Sequence, residues 1–210
     1  MARLSRDFFL QDTVTAAREL LGRYLVRVDG GETMVCRITE TEAYVGAIDR
    51  ACHAFGGRRT RRTETLYAAP GTAYVYLIYG MYSCLNFVTG PEGEASAVLI
   101  RGCAPVYGSL AAARRRFGTE ALSAYQRKNF MNGPGKLCKG LSIDRSLNAL
   151  PLENDVLYLA HDLPEYGLER RPDEISFHTG KRIGIDYARE AVDFPWRFWT
   201  EEGGREHAAV

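Results

Sequence analysis

The sequence predicts a mixed α+β fold in one domain, and three observations support this prediction. Short hydrophobic segments with the alternation of β-strands are separated by glycine-rich turns. Segments with helical periodicity lie between them. The chain has 210 residues, 46% of them hydrophobic, which suits one sizeable core and is short for two. No internal repeat or low-complexity linker divides residues 1–210, so we expect a single domain.

The N-terminal third begins with a helix and a hairpin. Asp12 is a suitable N-cap for a helix that carries Val14, Ala17 and Leu20 on one side and stops at Gly22. Strands are predicted at residues 24–28 and 34–44, with a turn at 29–31. The segment 47–70 that follows is polar, basic and irregular. Because so long a loop in a compact domain is more often functional than neutral, we expect a binding surface here.

Farther along the chain, an aromatic hairpin and several shorter elements are predicted. Residues 74–87 (YVYLIYGMYSCLNF) read as two strands joined at a tight turn around Tyr79 and Gly80. A buried strand is expected at 97–102, a basic helix from 109 to 129, and a second helix in GPGKLCKGL (133–141). Further strands are expected at 156–160 and 181–185, followed by PWRFW (195–199).

Composition and motifs exclude several classes of protein. No apolar run is long enough to cross a bilayer, and MARLSRDFFLQD has charges where a signal peptide needs an apolar stretch, so we expect a cytoplasmic protein. The five cysteines are scattered without a CxxC pair, which indicates reduced thiols and argues against a zinc site. GxSxG, P-loop and GxGxxG patterns are missing from the sequence, so we expect no nucleotide cofactor. No histidine or cysteine pair stands at ligand spacing, so we expect no metal either.

Positive charge is local rather than global. The net charge is only +1, which does not by itself indicate a nucleic-acid-binding protein. GRRTRRT (57–63), which includes Arg58 and Arg59, and the three arginines at 114–116 nevertheless form basic runs. Such runs are usually solvated surface. They also suffice to contact phosphates, because only one face of a protein has to meet a nucleic-acid backbone.

Two carboxylates, Glu40 and Glu42, lie on the predicted strand at 34–44. Alternation places both on the face of three apolar residues, Met34, Cys36 and Ile38. If that face is buried, the carboxylates are costly unless they are paired or used. The plainer interpretation, which we favour for this strand taken alone, is that it emerges into solvent after Ile38 and leaves both glutamates solvated. Alternation does not choose between the two glutamates.

Arg101 ends a strand that reads as buried, and an arginine there needs a carboxylate partner. One interpretation is a structural ion pair, which is common. The other is that Glu42 and Arg101 hold a single water molecule between them, with the glutamate as general base. A positioned general base typically contributes about 10²–10⁴ in rate. The sequence pattern leaves both interpretations open.

Three further residues have both a structural and a functional interpretation. Tyr79, a large aromatic residue at a hairpin tip, has little core to enter and is a candidate wedge into a base stack. Asn86, on an otherwise apolar strand, either caps a backbone group or contacts the edge of a base. His53, alone in the long loop, is more often incidental than catalytic, and no neighbour stands at metal-ligand spacing.

Six blocks of sequence carry a resemblance to a known family. They are TETEAYVGAIDRACHAFGGRRTRRT, PGTAYVYLIYGMYSCLNF, AVLIRG, GPGKLC, KRIGI and PWRF, in this order. Together they resemble the alkyladenine (3-methyladenine) DNA glycosylases of the mammalian type. The resemblance covers nearly the whole chain, and its first two blocks are long and specific.

The resemblance implies a fold and an activity. The fold would be a single α+β domain with a curved antiparallel sheet, flanking helices and a protruding hairpin that inserts into DNA. The enzyme would be a monofunctional glycosylase of base-excision repair, acting as a monomer on double-stranded DNA without a metal or a lysine Schiff base. Its substrates would be alkylated or deaminated purines, namely 3-methyladenine and, as further candidates, 7-methylguanine, hypoxanthine and ethenoadenine.

The resemblance also implies roles for individual residues. Glu42 matches the general base, and Arg101 matches the arginine that helps to hold the attacking water. Tyr79 matches the side chain that fills the space left by the flipped nucleotide, and Asn86 matches the residue that excludes the exocyclic amine of guanine. Lys136 matches a position near the DNA backbone. The residues that line the pocket around the flipped base would be Tyr44, His53 and Tyr76.

Two other functions stay open at this stage. A hydrolase of free nucleosides or related N-ribosyl compounds could use a similar glutamate and water, but it would need neither an exposed Tyr79 nor the basic loop. A non-catalytic nucleic-acid-binding module could share the scaffold, and it would not depend on Glu42.

Overall fold

A computed structural model of the protein describes residues 2–169 and 175–201. Its centre is a strongly curled antiparallel sheet, with a few helices packed on it. The mixed fold and the curved antiparallel sheet are therefore as predicted. Among the described residues, no helix has the length and apolar character that crossing a bilayer requires.

The sheet has nine strands in the described part of the chain, in the order β1-β7-β2-β3-β6-β5-β4, while β9 pairs with both β3 and β8. The strands are β1 (Ala2–Arg3), β2 (Tyr24–Asp29), β3 (Glu32–Tyr44), β4 (Ala73–Ile78), β5 (Tyr82–Thr89), β6 (Ser96–Tyr107), β7 (Leu157–Asp162), β8 (His178–Gly180) and β9 (Arg197–Trp199). The helices are α1 (Arg6–Leu10), α2 (Thr13–Glu19), α3 (Ser109–Phe117), α4 (Ala124–Lys128) and α5 (Pro134–Gly140).

The central strand β3 connects two parts of the sheet. Its first half pairs with β2, its second half pairs with β9, and β6 runs along its other edge. The main hydrophobic core lies between the sheet and the helices, and α2 is anchored as predicted: the Asp12 carboxylate accepts a hydrogen bond from the Thr15 amide at 2.9 Å. Residues of α1, α2, α3 and α5 contribute to this core. The opposite face of the sheet carries smaller hydrophobic clusters and the cavity described below.

Two predicted elements are wrong. The helix expected over 109–129 is two helices, because Gly118 adopts a left-handed conformation (φ 72°) that ends α3, and Ser123 then begins α4 with a capping box. Residues 181–185 are not a strand. Arg182 is drawn to a buried carboxylate, and the Ile183 amide bonds a side chain instead of a neighbouring strand.

Candidate active site

Two β-bulges shape the point where β3 and β6 cross the middle of the sheet. In their register, Thr39 on β3 and Arg101 on β6 have no residue opposite them. Each is the extra residue of a bulge, which redirects the side chains that follow it. Ile38 lies in the main core, and three residues later Thr41 faces the same side, where its hydroxyl donates to the Ala17 carbonyl of α2 at 2.7 Å.

The bulges correct the predicted orientation of the glutamates. The expectation that Glu40 and Glu42 share the face of Met34 and Ile38 is wrong, because alternation is reversed at Thr39 and both carboxylates lie on the opposite side of the sheet. The alternative of a strand emerging into solvent is also wrong. Both glutamates are 0% exposed. Buried carboxylates need ionic or hydrogen-bonding partners, and both have them.

Glu40 and Glu42 belong to a buried cluster of four charges. The Nε atoms of Arg197 and Arg101 donate to Glu40 Oε1 at 2.6 and 3.1 Å. Arg101 Nε also lies 3.5 Å from Glu42 Oε1, which is ion-pair distance but long for a hydrogen bond. Two carboxylates and two guanidinium groups balance in charge. Glu40 is thus the main partner of the arginines, whereas Glu42 has only the longer contact with Arg101.

Glu42 is oriented by two neutral donors. The Tyr44 hydroxyl donates to Oε2 at 2.7 Å, and the Ile183 amide donates to Oε1 at 2.8 Å. Burial raises the pKa of Tyr44 well above its ordinary value, and the Glu42 charge raises it further, so the hydroxyl keeps its proton and remains a donor. Burial would lower the pKa of Arg101, but Glu42 and Glu40 outweigh it and raise that pKa.

A cavity of about 400 Å³ opens beside this cluster. Glu42 lies directly behind its wall, in contact with two residues that line it, Tyr44 and Arg101. The structure therefore brings the predicted catalytic pair and the predicted pocket residues together. The predicted site residues that line the cavity are Tyr44, His53, Tyr76, Tyr79, Asn86 and Arg101.

His53 forms an aromatic wall with two tyrosines. Its ring lies 4.6 Å from the Tyr76 ring, nearly perpendicular to it, and its Nδ1 lies 3.0 Å from the Tyr74 hydroxyl. Burial, together with the nearby Arg62, lowers the pKa of His53 to about 4. The imidazole is consequently neutral at neutral pH, with Arg62 Nη2 3.5 Å from its Nε2.

Tyr79 lies at the tip of the β4–β5 hairpin, as the sequence predicts. Tyr79 and Gly80 both have positive φ, 53° and 70°, and the Met81 amide donates to the Ile78 carbonyl at 3.2 Å. Positive φ at both central positions is typical of a type I′ turn, which suits the twist of a hairpin. The Tyr79 side chain is 82% exposed although it also lines the cavity. It therefore stands at the cavity mouth.

Asn86 uses its amide nitrogen to hold the backbone. Nδ2 donates to the Tyr74 carbonyl at 3.0 Å and, more weakly, to the Cys84 carbonyl at 3.5 Å. The backbone-capping role is thus present in the structure. The side chain is buried and lines the cavity, so its carbonyl oxygen is the atom left for a ligand.

The three basic residues predicted to contact phosphates differ in whether other side chains of the protein already bind them. Arg58 is exposed, and its side chain has no ion pair within the described ranges. Arg59 is held by Glu64 at 2.6 Å. Lys136 donates to the side-chain oxygens of Asn129 and Asn132, and burial, with Arg116 nearby, lowers its pKa. Lys136 lines a second cavity of about 670 Å³ beside the hairpin tip. Contacts between these residues and DNA stay a prediction.

Several site residues were not found by sequence reasoning. Arg62 lines the cavity, and Arg197 completes the charge cluster from β9. Ile183 holds Glu42 through its backbone, which no side-chain pattern reveals. Asp49 and Arg182 form a fully buried ion pair next to Tyr44. Two features of the sequence could have pointed to these residues. Arg62 lies in the basic loop, and Arg182 and Ile183 lie in the KRIGI block at 181–185.

The described residues include no cluster of three or more histidine, cysteine, aspartate or glutamate side chains that could hold a metal ion. All five cysteines are buried and unpaired. The groups at this site include the Glu42 carboxylate, guanidinium groups, the His53 imidazole, the Asn86 amide and aromatic surfaces. Such a set can position water and stabilise positive charge.

Comparison with known proteins identifies the family. Residues 7–203 match the family model described as Methylpurine-DNA glycosylase (MPG). The chain is 50% identical over 203 residues to a Clostridium perfringens (strain SM101 / Type A) protein named "Putative 3-methyladenine DNA glycosylase". The aligned residues cover 95% of this chain and 96% of that protein. Proteins of the same name from Desulfitobacterium hafniense (strain Y51) and Clostridium tetani (strain Massachusetts / E88) are 47% and 46% identical, over 96% and 95% of this chain and 97% and 96% of their own length. The chain belongs to the methylpurine-DNA glycosylase family.

Proposed function

We propose that this protein removes alkylated or deaminated purines from duplex DNA by flipping out the damaged nucleotide and hydrolysing its N-glycosidic bond. The observation that carries the proposal is the fully buried Glu42 carboxylate, 3.5 Å from the Arg101 guanidinium at the wall of an aromatic-lined cavity. The cavity volume of about 400 Å³ lies in the range of small-ligand sites. A base inside a duplex reaches such a site only when it is extruded.

The aromatic side chains that line the cavity supply binding energy for the extruded base. Flipping costs a few kcal/mol, and less when the base is damaged. Stacking a base on an aromatic side chain returns about 1–3 kcal/mol. Tyr44, Tyr76 and His53 line the cavity and offer such surfaces. Tyr79, exposed at the mouth, fills the gap that the flipped nucleotide leaves in the duplex.

The carboxylate and the arginine then act on one water molecule. Arg101 Nε donates its single proton to Glu40, so the water would be held between a Glu42 oxygen and the terminal N–H groups of the Arg101 guanidinium, which lines the cavity. The water oxygen attacks C1′ of the deoxyribose, the bond from C1′ to the purine nitrogen breaks, and the base leaves with the bonding electrons. Glu42 accepts the water proton, and its negative charge stabilises the cationic character of the sugar.

The charge state of the base determines how easily it leaves. A purine nucleotide methylated at N3 or N7 already carries positive charge, and its base departs as a neutral molecule. A neutral lesion such as hypoxanthine must gain a proton first, and His53 cannot supply it at neutral pH because its pKa is about 4. Among the described residues that line the cavity there is no lysine to form a Schiff base, which favours a monofunctional enzyme.

The test is single-turnover release of base from a panel of duplexes, each carrying one lesion: 3-methyladenine, 7-methylguanine, hypoxanthine or ethenoadenine. We expect release from at least the alkylated duplexes, leaving alkali-labile abasic sites and no strand break before alkali. Free 7-methylguanosine is the matched control substrate. Release from the nucleoside but not from DNA would indicate a nucleoside hydrolase. Tight binding of damaged duplex without any release would indicate a binding module.

A further inference from the structure

Asp49 and Arg182 form a second buried ion pair, separate from the cluster around Glu40. The Arg182 guanidinium is bound in a bidentate manner, with Nη1 2.5 Å from Asp49 Oδ2 and Nη2 2.8 Å from Oδ1. Both side chains are fully buried. Burial would lower the pKa of Arg182, but Asp49 outweighs it and raises that pKa. A pair removed from water in this way is weak support for stability by itself, so its position calls for a reason.

The pair holds the backbone on both sides of Tyr44. Arg182 Nη1 donates to the carbonyl of Ala43, the preceding residue, at 2.7 Å. Asp49 Oδ2 accepts from the amide of Val45, the following residue, at 3.1 Å. The pair therefore fixes the end of β3 from two directions at the residue that forms the cavity wall.

The same arginine reaches two other parts of the site. Its guanidinium carbon lies 4.8 Å above the Tyr44 ring and 5.1 Å above the Trp196 ring. Arg182 does not line the cavity, so it supports Tyr44 from behind. The next residue, Ile183, donates its amide to Glu42. A shift of Arg182 would thus move both the Tyr44 ring and the Ile183 amide that orients the Glu42 carboxylate.

The loop that carries His53 is tied to the same pair. Asp49 Oδ1 accepts from the Ala51 amide at 3.0 Å, two residues before His53. The Cys52 amide donates to the Asp49 carbonyl at 2.9 Å. Through Asp49, the loop, β3 and the segment at 181–185 share one anchor.

We propose that Arg182 and Asp49 are a positioning pair that holds Tyr44, Glu42 and the His53 loop in the geometry for base excision. The inference rests on the proposed function. Neither residue touches the base or the water. A lysine at 182 cannot replace the arginine, because it lacks the planar fork that serves Asp49 and the backbone carbonyls together. A displacement of about 1 Å in a catalytic site can cost about 100-fold in rate.

The experiment compares two double variants. Arg182→Met with Asp49→Asn removes both charges, so no unpaired charge is left buried. Arg27→Met with Asp29→Asn is the matched control, because Arg27 is also a buried arginine, 3.1 Å from the Asp29 carboxylate, and neither residue lines the cavity. Arg182→Lys is the conservative variant. Single-turnover excision of 7-methylguanine from duplex DNA is measured at saturating enzyme, where the rate constant reports geometry, and circular dichroism reports the folded fraction of each variant.

We expect the rate constant to fall about 100-fold in the Arg182/Asp49 double variant, to fall in Arg182→Lys as well, and to stay unchanged in the control. Equal rate constants in the two double variants would overturn the inference. Amide hydrogen exchange gives a readout without activity: exchange at Ile183 and Val45 should accelerate only in the Arg182/Asp49 variant, and retained protection there would also overturn it. If the wild-type protein released no base, the proposed function would fail, while the exchange result would still decide whether the pair positions these groups.

Discussion

The charge cluster around Glu42 behind the cavity wall, here called the floor, and the hairpin tip at the cavity mouth are built in opposite ways. At the floor, Glu42 is 0% exposed and held by the Tyr44 hydroxyl and the Ile183 amide. At the tip, Tyr79 is 82% exposed and occupies a positive φ that non-glycine residues rarely adopt. The floor is a fixed arrangement of charges and donors. The tip presents a large aromatic side chain to whatever approaches.

Under the proposed function, this difference predicts that chemistry and DNA engagement are separable in this fold. A catalytic group must be held still before the substrate arrives, which requires many partners and burial. A wedge must be free to enter a duplex, which requires exposure. We therefore expect changes at the floor to alter the rate of excision at constant affinity, and changes at the tip to alter affinity for damaged DNA.

The largest effect should come from Glu42→Gln. The substitution keeps the shape of the side chain but removes the proposed general base, so base release should fall by about 10²–10⁴. Affinity for a damaged duplex should be retained, because the aromatic wall and the hairpin are unchanged. The measurement is the single-turnover excision rate beside the dissociation constant from a gel-shift titration. Retained turnover would remove Glu42 as the base.

Glu40→Gln is the control for this prediction. Glu40 carries the two short arginine contacts, so its loss should lower the melting temperature. Arg101 still has Glu42 as a partner, and we expect the excision rate of the folded protein to fall less than about tenfold. A loss as large as that of Glu42→Gln would mean that the two carboxylates act as one unit.

The fold and the tip were largely predictable because their signals are local. A glycine beside Tyr79 between two aromatic strands indicates a tight hairpin turn, and the structure has it. Gly118 carried an equally local signal for the end of α3, which the basic helical pattern around it obscured.

The floor could not be predicted from periodicity. The two bulges at Thr39 and Arg101 reverse alternation on both strands, and such a pair depends on the register between segments about 60 residues apart, which neither segment encodes alone. The need of a buried Arg101 for a carboxylate raised the pairing with Glu42 as one of two open interpretations and the family resemblance then favoured it, whereas alternation placed Glu42 on the wrong face. The support from Ile183 passes through a backbone amide and leaves no side-chain signal.

His53, on the wall between floor and tip, gives a pH test of intermediate size. Its pKa of about 4 lies below the ordinary 6.5, so between these values the folded protein binds fewer protons than the unfolded chain. Stability is therefore lost as the pH falls from about 6.5 towards 4. At pH 4.5 this titration should have lowered the free energy of unfolding by about 2–3 kcal/mol.

His53→Gln should lack that loss, because glutamine does not titrate. Urea unfolding of both proteins at pH 7 and pH 4.5 measures the difference. If the free energy of unfolding of wild type and variant changed equally between the two pH values, His53 would not be a buried neutral imidazole. In its contact with solvent, His53 would then resemble the exposed hairpin tip more than the buried charge cluster.

The smallest effect should come from Tyr79→Ser, and it should appear in binding. Without the ring, the space left by a flipped nucleotide stays unfilled, and affinity for damaged duplex should fall about tenfold, or about 1.4 kcal/mol, within the range for one stacking contact. Tyr79→Phe is the matched control, since it keeps the ring and loses only the hydroxyl, and it should bind like wild type. Excision from the saturated complex should change less than binding, because the tip lies outside the charge cluster. Unchanged affinity in Tyr79→Ser would refute the wedge. If the excision rate of the saturated complex fell more than the affinity, the tip would also serve the chemistry, and the contrast between the two regions would disappear.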